Sequence, residues 1–155
     1  MNECVFCKIV NGELPCHKVW EDEKHLAFLS IFPNTEGSTV VIPKEHYTSY
    51  AFDLSDEILK DLIVATKKVA KLIDSNLEDV GRTALVFEGF GVDHVHSKLF
   101  PMHGTVNMVE WKPLESGSEE NTFFEKYPGF ISSHDAARMD DEKLKDIANK
   151  IRGNK

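Results

Sequence analysis

Nowhere in the 155 residues does an apolar run approach the roughly 18 residues that a membrane-spanning helix needs. Met1 to Val10 also lacks the basic leading segment and the long apolar stretch of a secretory signal. The expectation is a soluble, cytoplasmic protein with no membrane partner. Basic residues are scarce, with 18 Lys and Arg against 26 Asp and Glu and a formal net charge of −8. Nucleic-acid surfaces concentrate Lys and Arg on one face to displace counterions, so no nucleic-acid partner is expected, and an anionic ligand would have to sit in a local pocket. Cysteine is limited to 3 residues, an odd number. Cys4 and Cys7 have the spacing of a metal clip, which makes a disulfide framework the weaker reading and leaves Cys16 as a reduced thiol. Internal repeats and low-complexity tracts are missing too. What is there is a chain with 41% hydrophobic content, long enough for one well-packed domain and too short for two ordinary ones.

Short β-prone runs at Lys18–Trp20, Leu26–Ile31 and Thr39–Ile42 are separated by Glu21-Asp22-Glu23, Pro33-Asn34 and Gly37-Ser38. This punctuation predicts an antiparallel meander, with Pro43 ending the third strand. From Asp56 to about Asn76 the apolar residues Ile58, Leu59, Leu62, Ile63, Val69, Ala70 and Ile73 follow helical spacing; Ser55 is placed to cap the helix and acids fill its first turn. Thr83–Phe87 and Val95–Phe100 predict two more strands, joined as a hairpin through Gly89-Phe90-Gly91. Residues 113–121 are polar and predict an exposed loop. Leu144, Ile147, Ala148 and Ile151 form a last helical stripe, with Gly153 as a stop, and this helix is expected to dock on the main domain.

His94-Val95-His96-Ser97-Lys98 carries a chemically capable side chain at every second position. On a strand such residues share a face, so two imidazoles and an ammonium would line one surface. The alternative is a solvated strand face that happens to carry two histidines. Cys4-Val5-Phe6-Cys7 places two thiols across a short turn, suited to chelating one zinc ion. Structural zinc wants four ligands, and His46, just after the third strand, and His94 are candidates to complete the set. The competing reading is that Cys4 and Cys7 are buried thiols beneath Phe6.

Cys4-Val5-Phe6-Cys7-Lys8-Ile9-Val10, Leu26-Ala27-Phe28-Leu29-Ser30-Ile31-Phe32-Pro33, Val41-Ile42-Pro43-Lys44-Glu45-His46 and Asp93-His94-Val95-His96 together resemble the histidine triad (HIT) family over about Asn2 to Pro101. The resemblance implies an α+β fold with a HIT-like antiparallel sheet, here of about five strands with one long helix. Residues 1–112 would form the HIT-like domain, and residues 113–155 a C-terminal extension that ends in a helix and packs on the same domain. It also implies a homodimer with one sheet continuous across two chains. In the zinc-bearing branch of the family the metal ligands match Cys4, Cys7, His46 and His94. His96 matches the nucleophile that attacks the α-phosphorus of a nucleotide ester or anhydride. A filled coordination sphere leaves no open position, so Zn2+ would be structural.

Three departures from the family pattern bear on the substrate. Lys98 stands where the third histidine is usual, as a point charge for phosphate; the related galactose-1-phosphate uridylyltransferases also lack that histidine. Ser30 replaces an aspartate that binds ribose in many members. The loop Phe87-Glu88-Gly89-Phe90-Gly91-Val92 lacks the usual phosphate-binding asparagine and glutamine, and Glu88 would repel phosphate if it faced the pocket. Phe6, Leu14, Phe28 and Ile31 match positions that enclose the base, although apolar residues at such spacing also serve as plain core. The resemblance therefore implies a nucleotide hydrolase or nucleotidyltransferase working through His96. The alternative is a zinc-stabilised nucleotide-binding or interaction module without turnover.

Overall fold

A computed structural model describes residues 4–106, 122–132 and 137–152; the polar stretch 113–121 and Gly153 lie outside the described residues. The chain divides into two compact units, Met1–Lys112 and Pro113–Lys155. The first unit is built on a five-stranded sheet: β1 (Lys18–Glu21), β2 (His25–Leu29), β3 (Thr39–Pro43), β4 (Val80–Val86) and β5 (Ser97–His103), in the order β1-β2-β3-β5-β4. Every neighbouring pair is antiparallel. Helix α1 (Val5–Val10) precedes the sheet, and the long helix α2 (Asp56–Asn76) links β3 to β4. Among the described residues no helix is long and apolar enough to cross a membrane.

Helix α2 starts where Ser55 Oγ accepts from the Ile58 N–H, with Asp56 and Glu57 in the first turn against the positive end of the helix dipole. Leu62, Ala65, Thr66, Val69 and Ile73 recur at three- and four-residue spacing, so one face of the helix is buried. That face packs on Ala27, Val41 and Leu99. Alternate residues of β2 and β3 point the other way, and Leu26, Phe28, Val40 and Ile42 gather around Phe6 of α1. The central strands are thus covered on both faces, which explains why they read as continuous apolar runs.

One polar contact is sealed inside this packing. The Thr66 hydroxyl donates to the Leu62 carbonyl at 2.7 Å, and Thr66 Oγ1 lies 2.8 Å from Ser97 Oγ. A hydroxyl has one hydrogen, so Ser97 is the donor to Thr66. The bond ties the middle of α2 to the first residue of β5.

The structure corrects the expected strands at the histidine motif. His94, Val95 and His96 precede β5, which begins at Ser97 and runs on to His103. β3 pairs with β5 only as far back as Val41 opposite Ser97. Two residues beyond Val41 stands Pro43, which has no N–H to continue a ladder. In its place the His94 ring donates from Nε2 to the Pro43 carbonyl at 2.9 Å, and the Val95 N–H donates to the Tyr47 carbonyl. Ser30 and Ile31 likewise fall just outside β2, and β4 starts earlier than expected, at Val80. Gly81 hides that start: a Cβ there would lie 2.3 Å from the Thr105 carbonyl oxygen, so close approach and not apolar pattern selects the residue.

In the second unit α3 spans Asp141–Ile151, and the Asp140 carboxylate accepts from the Glu142 and Lys143 N–H groups at its start. Phe124 and Phe130 meet edge to face with centroids 5.7 Å apart.

Thr66→Val should destabilise the protein by about 1–3 kcal/mol, because it strands the Ser97 hydroxyl without an acceptor. Adding Ser97→Ala should recover part of that loss. Urea unfolding of both variants checks this, and a double variant no more stable than Thr66→Val alone would show that the bond does not work this way.

Candidate functional site

Cys4 caps α1: its Sγ accepts from the Cys7 N–H at 3.4 Å. The two thiols therefore sit at the first turn of a helix, where the sequence suggested only a turn; six residues are too few for helical periodicity to show. Cys4 Sγ is 3.5 Å from His94 Nδ1, and Cys7 Sγ is 3.3 Å from His46 Nδ1 and 3.6 Å from His94 Nδ1. All four donor atoms lie within 4.8 Å of one another. A tetrahedral ion with Zn–S of about 2.3 Å and Zn–N of about 2.0 Å separates sulfur from nitrogen by about 3.5 Å, so these three sulfur–nitrogen distances already match such a cation. The His94 bond to Pro43 places its proton on Nε2 and leaves the Nδ1 lone pair facing the thiols. Burial, then the neighbouring Cys4, pushes the Cys7 thiol up, a bias that a bound cation would reverse.

His96 is turned elsewhere. Its Nδ1–H donates to the His94 carbonyl at 2.7 Å; a carbonyl can only accept, so Nδ1 carries the proton and Nε2 keeps a lone pair. The ring is 4% exposed and meets Phe6 edge to face at 5.3 Å. Burial holds its pKa below the ordinary value, opposed by the bond to His94, with the Lys98 charge lowering it further and Glu88 raising it. The imidazole is therefore neutral at pH 7 with a nucleophilic nitrogen available.

His96 opens on a cleft of about 520 Å³. Phe6, Leu14, Phe28, Ser30, Ile31 and Lys98 all line it, so the residues picked out as base- and phosphate-binding candidates surround one space. Ser30 is committed locally, with Oγ accepting from the Phe32 N–H at 3.2 Å. Sequence reasoning missed Phe32 and Phe90, which flank the cleft while 88% and 61% exposed, and also Cys16 and Val92. An exposed aromatic in a loop has no periodic signal that could have marked it. Gly89 and Gly91 both have positive φ, 74° and 89°, so the loop before His94 needs glycine for its conformation. The Glu88 carboxylate accepts from the Lys98 ammonium.

A family model described as the HIT domain matches residues 11–105. The chain is 44% identical over 102 residues to an adenosine 5′-monophosphoramidase of Schizosaccharomyces pombe, covering 63% of this chain and 73% of that protein. An adenosine 5′-monophosphoramidase of Candida albicans is 33% identical over 153 residues, covering 91% of this chain and 96% of that protein. Among solved structures, a HIT family member from Bacillus subtilis superposes with a TM-score of 0.67 at 29% identity, covering 99% of this chain and 98% of that one.

His96 should titrate below 6.5, its ordinary value, when followed by NMR of the ring protons. The sign for stability follows. The unfolded chain binds this proton more readily, so the group leaves stability untouched well above pH 6.5 and lowers it as pH falls below that value. A midpoint at or above 6.5 would contradict the burial of the ring.

Proposed function

Because the chain belongs to the HIT family, we propose that it is a nucleotide hydrolase or nucleotidyltransferase acting at an α-phosphate through a covalent intermediate on His96. Relatives named as adenosine 5′-monophosphoramidases support the reaction class. The observation that carries the proposal is the state of the His96 ring: protonated on Nδ1 by its bond to a carbonyl, buried, neutral, and lining the cleft beside Lys98. In the first step Nε2 attacks the α-phosphorus, a P–N bond forms, and the bond from phosphorus to the leaving group breaks. The leaving group departs with the electron pair and takes a proton from solvent. Water or another acceptor then attacks the same phosphorus and gives up its proton to solvent, the P–N bond breaks, and its electrons return to the imidazole. As positive charge develops on the ring, the His94 carbonyl accepts its Nδ1–H throughout, and the Lys98 ammonium meets charge on the phosphoryl oxygens. Phe6, Leu14, Phe28 and Ile31 supply the apolar walls for a base, with Ser30 at the edge.

Cys4, Cys7, His46 and His94 would hold one structural Zn2+. With four protein ligands the bound ion has no open position, and its contribution is to anchor α1 and the loop ending at His96. Metal and nucleophile are then separable. His46→Ala should lower both zinc content and thermal stability, whereas His96→Ala should keep its zinc and lose turnover by several orders of magnitude. A nucleotide radiolabelled at the α-phosphate and quenched in alkali should leave label on the wild type and none on His96→Ala. Comparable activity in His96→Ala would overturn the mechanism, and no reaction of wild type with any nucleotide would favour a binding module.

The protein would act as a homodimer. β4 is an edge strand of the sheet, and the neighbouring α2 exposes Ile63, Val64 and Leu72. Among the described residues no strand pairs with the outer side of β4, and such an edge beside an apolar helix face supports pairing between two copies. Light scattering at micromolar concentration should give twice the chain mass, and a monomer mass would remove this part of the proposal.

A further inference from the structure

A second cleft, of about 400 Å³, shares no lining residue with the one that holds His96. Its walls come from the start of β2, the end of β3 and the first turns of α2. Its volume falls within the range of small-molecule sites, roughly 300–1,000 Å³. His25 lines it while only 5% exposed. Asp22 Oδ1 accepts from the Lys24 N–H at 2.9 Å and the His25 N–H at 2.7 Å, and lies 3.1 Å from His25 Nδ1. A carboxylate can only accept, so Nδ1 carries the proton, and in the neutral ring Nε2 keeps a lone pair. Among the described residues nothing donates to Nε2, yet no buried side-chain nitrogen or oxygen there lacks a partner. Nε2 therefore reaches accessible space, and the space this side chain borders is the cleft.

A lone pair asks its ligand for a hydrogen-bond donor, and the charge around it asks for a cation. Lys24 is held by Asp61 at 2.7 Å, and Lys44 by Glu21 at 2.7 Å. Glu23, Glu45 and Glu57 line the same cleft with no ion-pair partner among the described residues. A bare metal ion fits poorly, because it needs several donors at about 2 Å from one point. Among the described residues three or more donors converge in that way only at Cys4, Cys7, His46 and His94. Acceptors spread around a wider opening suit a larger cation. Pro43 and Ile58 add apolar wall, which an aliphatic stem covers while its ammonium group donates.

We propose that this cleft is a second binding site, for a small alkylammonium ligand that donates an N–H to His25 Nε2 and meets the carboxylates of Glu23, Glu45 and Glu57. The inference is independent of the nucleotide reading given above. The ligand's charge selects it over a neutral molecule of the same shape, and its N–H selects it over a cation without a donor, such as a quaternary ammonium.

Calorimetric titration of the full chain with 1,4-diaminobutane tests this at about pH 8, where the amines are charged. 1,4-Butanediol and the fully N-methylated bis-quaternary diamine serve as controls. The diamine should bind with one equivalent per chain, at least about tenfold tighter than either control, a margin in keeping with charge-assisted hydrogen bonds. Added salt should weaken it. In NMR of the imidazole nitrogens the His25 Nε2 signal should move as diamine is added. Glu57→Gln, at an exposed position, should weaken binding about threefold, and His25→Gln about tenfold or more. Thermal unfolding reports whether His25→Gln is folded; if it is not, the parent NMR and Glu57→Gln still decide. The proposal falls if the diamine does not bind, if the diol or the quaternary cation binds equally well, or if the His25 Nε2 signal stays still while heat is released. Uptake of several equivalents, indifferent to Glu57→Gln, would mean screening of the acidic surface and would overturn it too.

Discussion

The site hangs on His94 more than on any other residue. Its Nε2–H is spent on the Pro43 carbonyl at the end of β3, its Nδ1 faces the Cys4 and Cys7 thiols at the start of α1, and its own carbonyl takes the Nδ1–H of His96. One residue thereby joins strand, helix and loop, and dictates the tautomer of the neighbouring histidine. The bonds to the Pro43 carbonyl and from His96 Nδ1 are directional and buried, where a lost partner costs more than a surface contact would. His96 inherits its orientation from this arrangement.

Burial does two different jobs on the two faces of the sheet. On the α2 face it is nearly all apolar, and the buried polar link from Thr66 to Ser97 sets α2 against the first residue of β5. On the α1 face the apolar cluster of Phe6, Leu26, Phe28, Val40 and Ile42 continues into the cleft. The residues that make the core there also make the cleft's inner wall, so a substitution at Phe6 or Phe28 would disturb the packing of both together. Phe6 is the joint between them, since its ring touches those of Phe28, His94 and His96.

Charge follows a local logic that the net value of −8 hides. The acidic surface carries ordinary solvated pairs, while among the described residues the cleft is lined mostly by apolar side chains with the Lys98 ammonium, which is held by the Glu88 carboxylate. Where His96 meets the cleft, burial disfavours the protonated ring and keeps the imidazole neutral.

Much of this was legible in the chain by itself, and for a physical reason. α2 is long and amphipathic, with a capping serine and acids in its first turn, so its limits came directly from periodicity and caps. β2 and β3 showed as apolar runs between turn residues, and the chemically capable side chains stood together in short motifs. Other features depend on contacts between residues far apart in sequence. That α1 is a helix, that His94 and His96 leave the strand to face different partners, and that Phe90 and Phe32 flank the cleft all required the folded chain. So did the pairing of Glu88 with Lys98, which joins the loop after β4 to the next strand. Local propensity and periodicity are written in neighbouring residues, and these determined the elements and the inventory of reactive groups. Which imidazole meets the thiols, which keeps a free nitrogen, and which carboxylate restrains the ammonium were decided only by tertiary packing, because directional bonds between distant residues leave no local pattern.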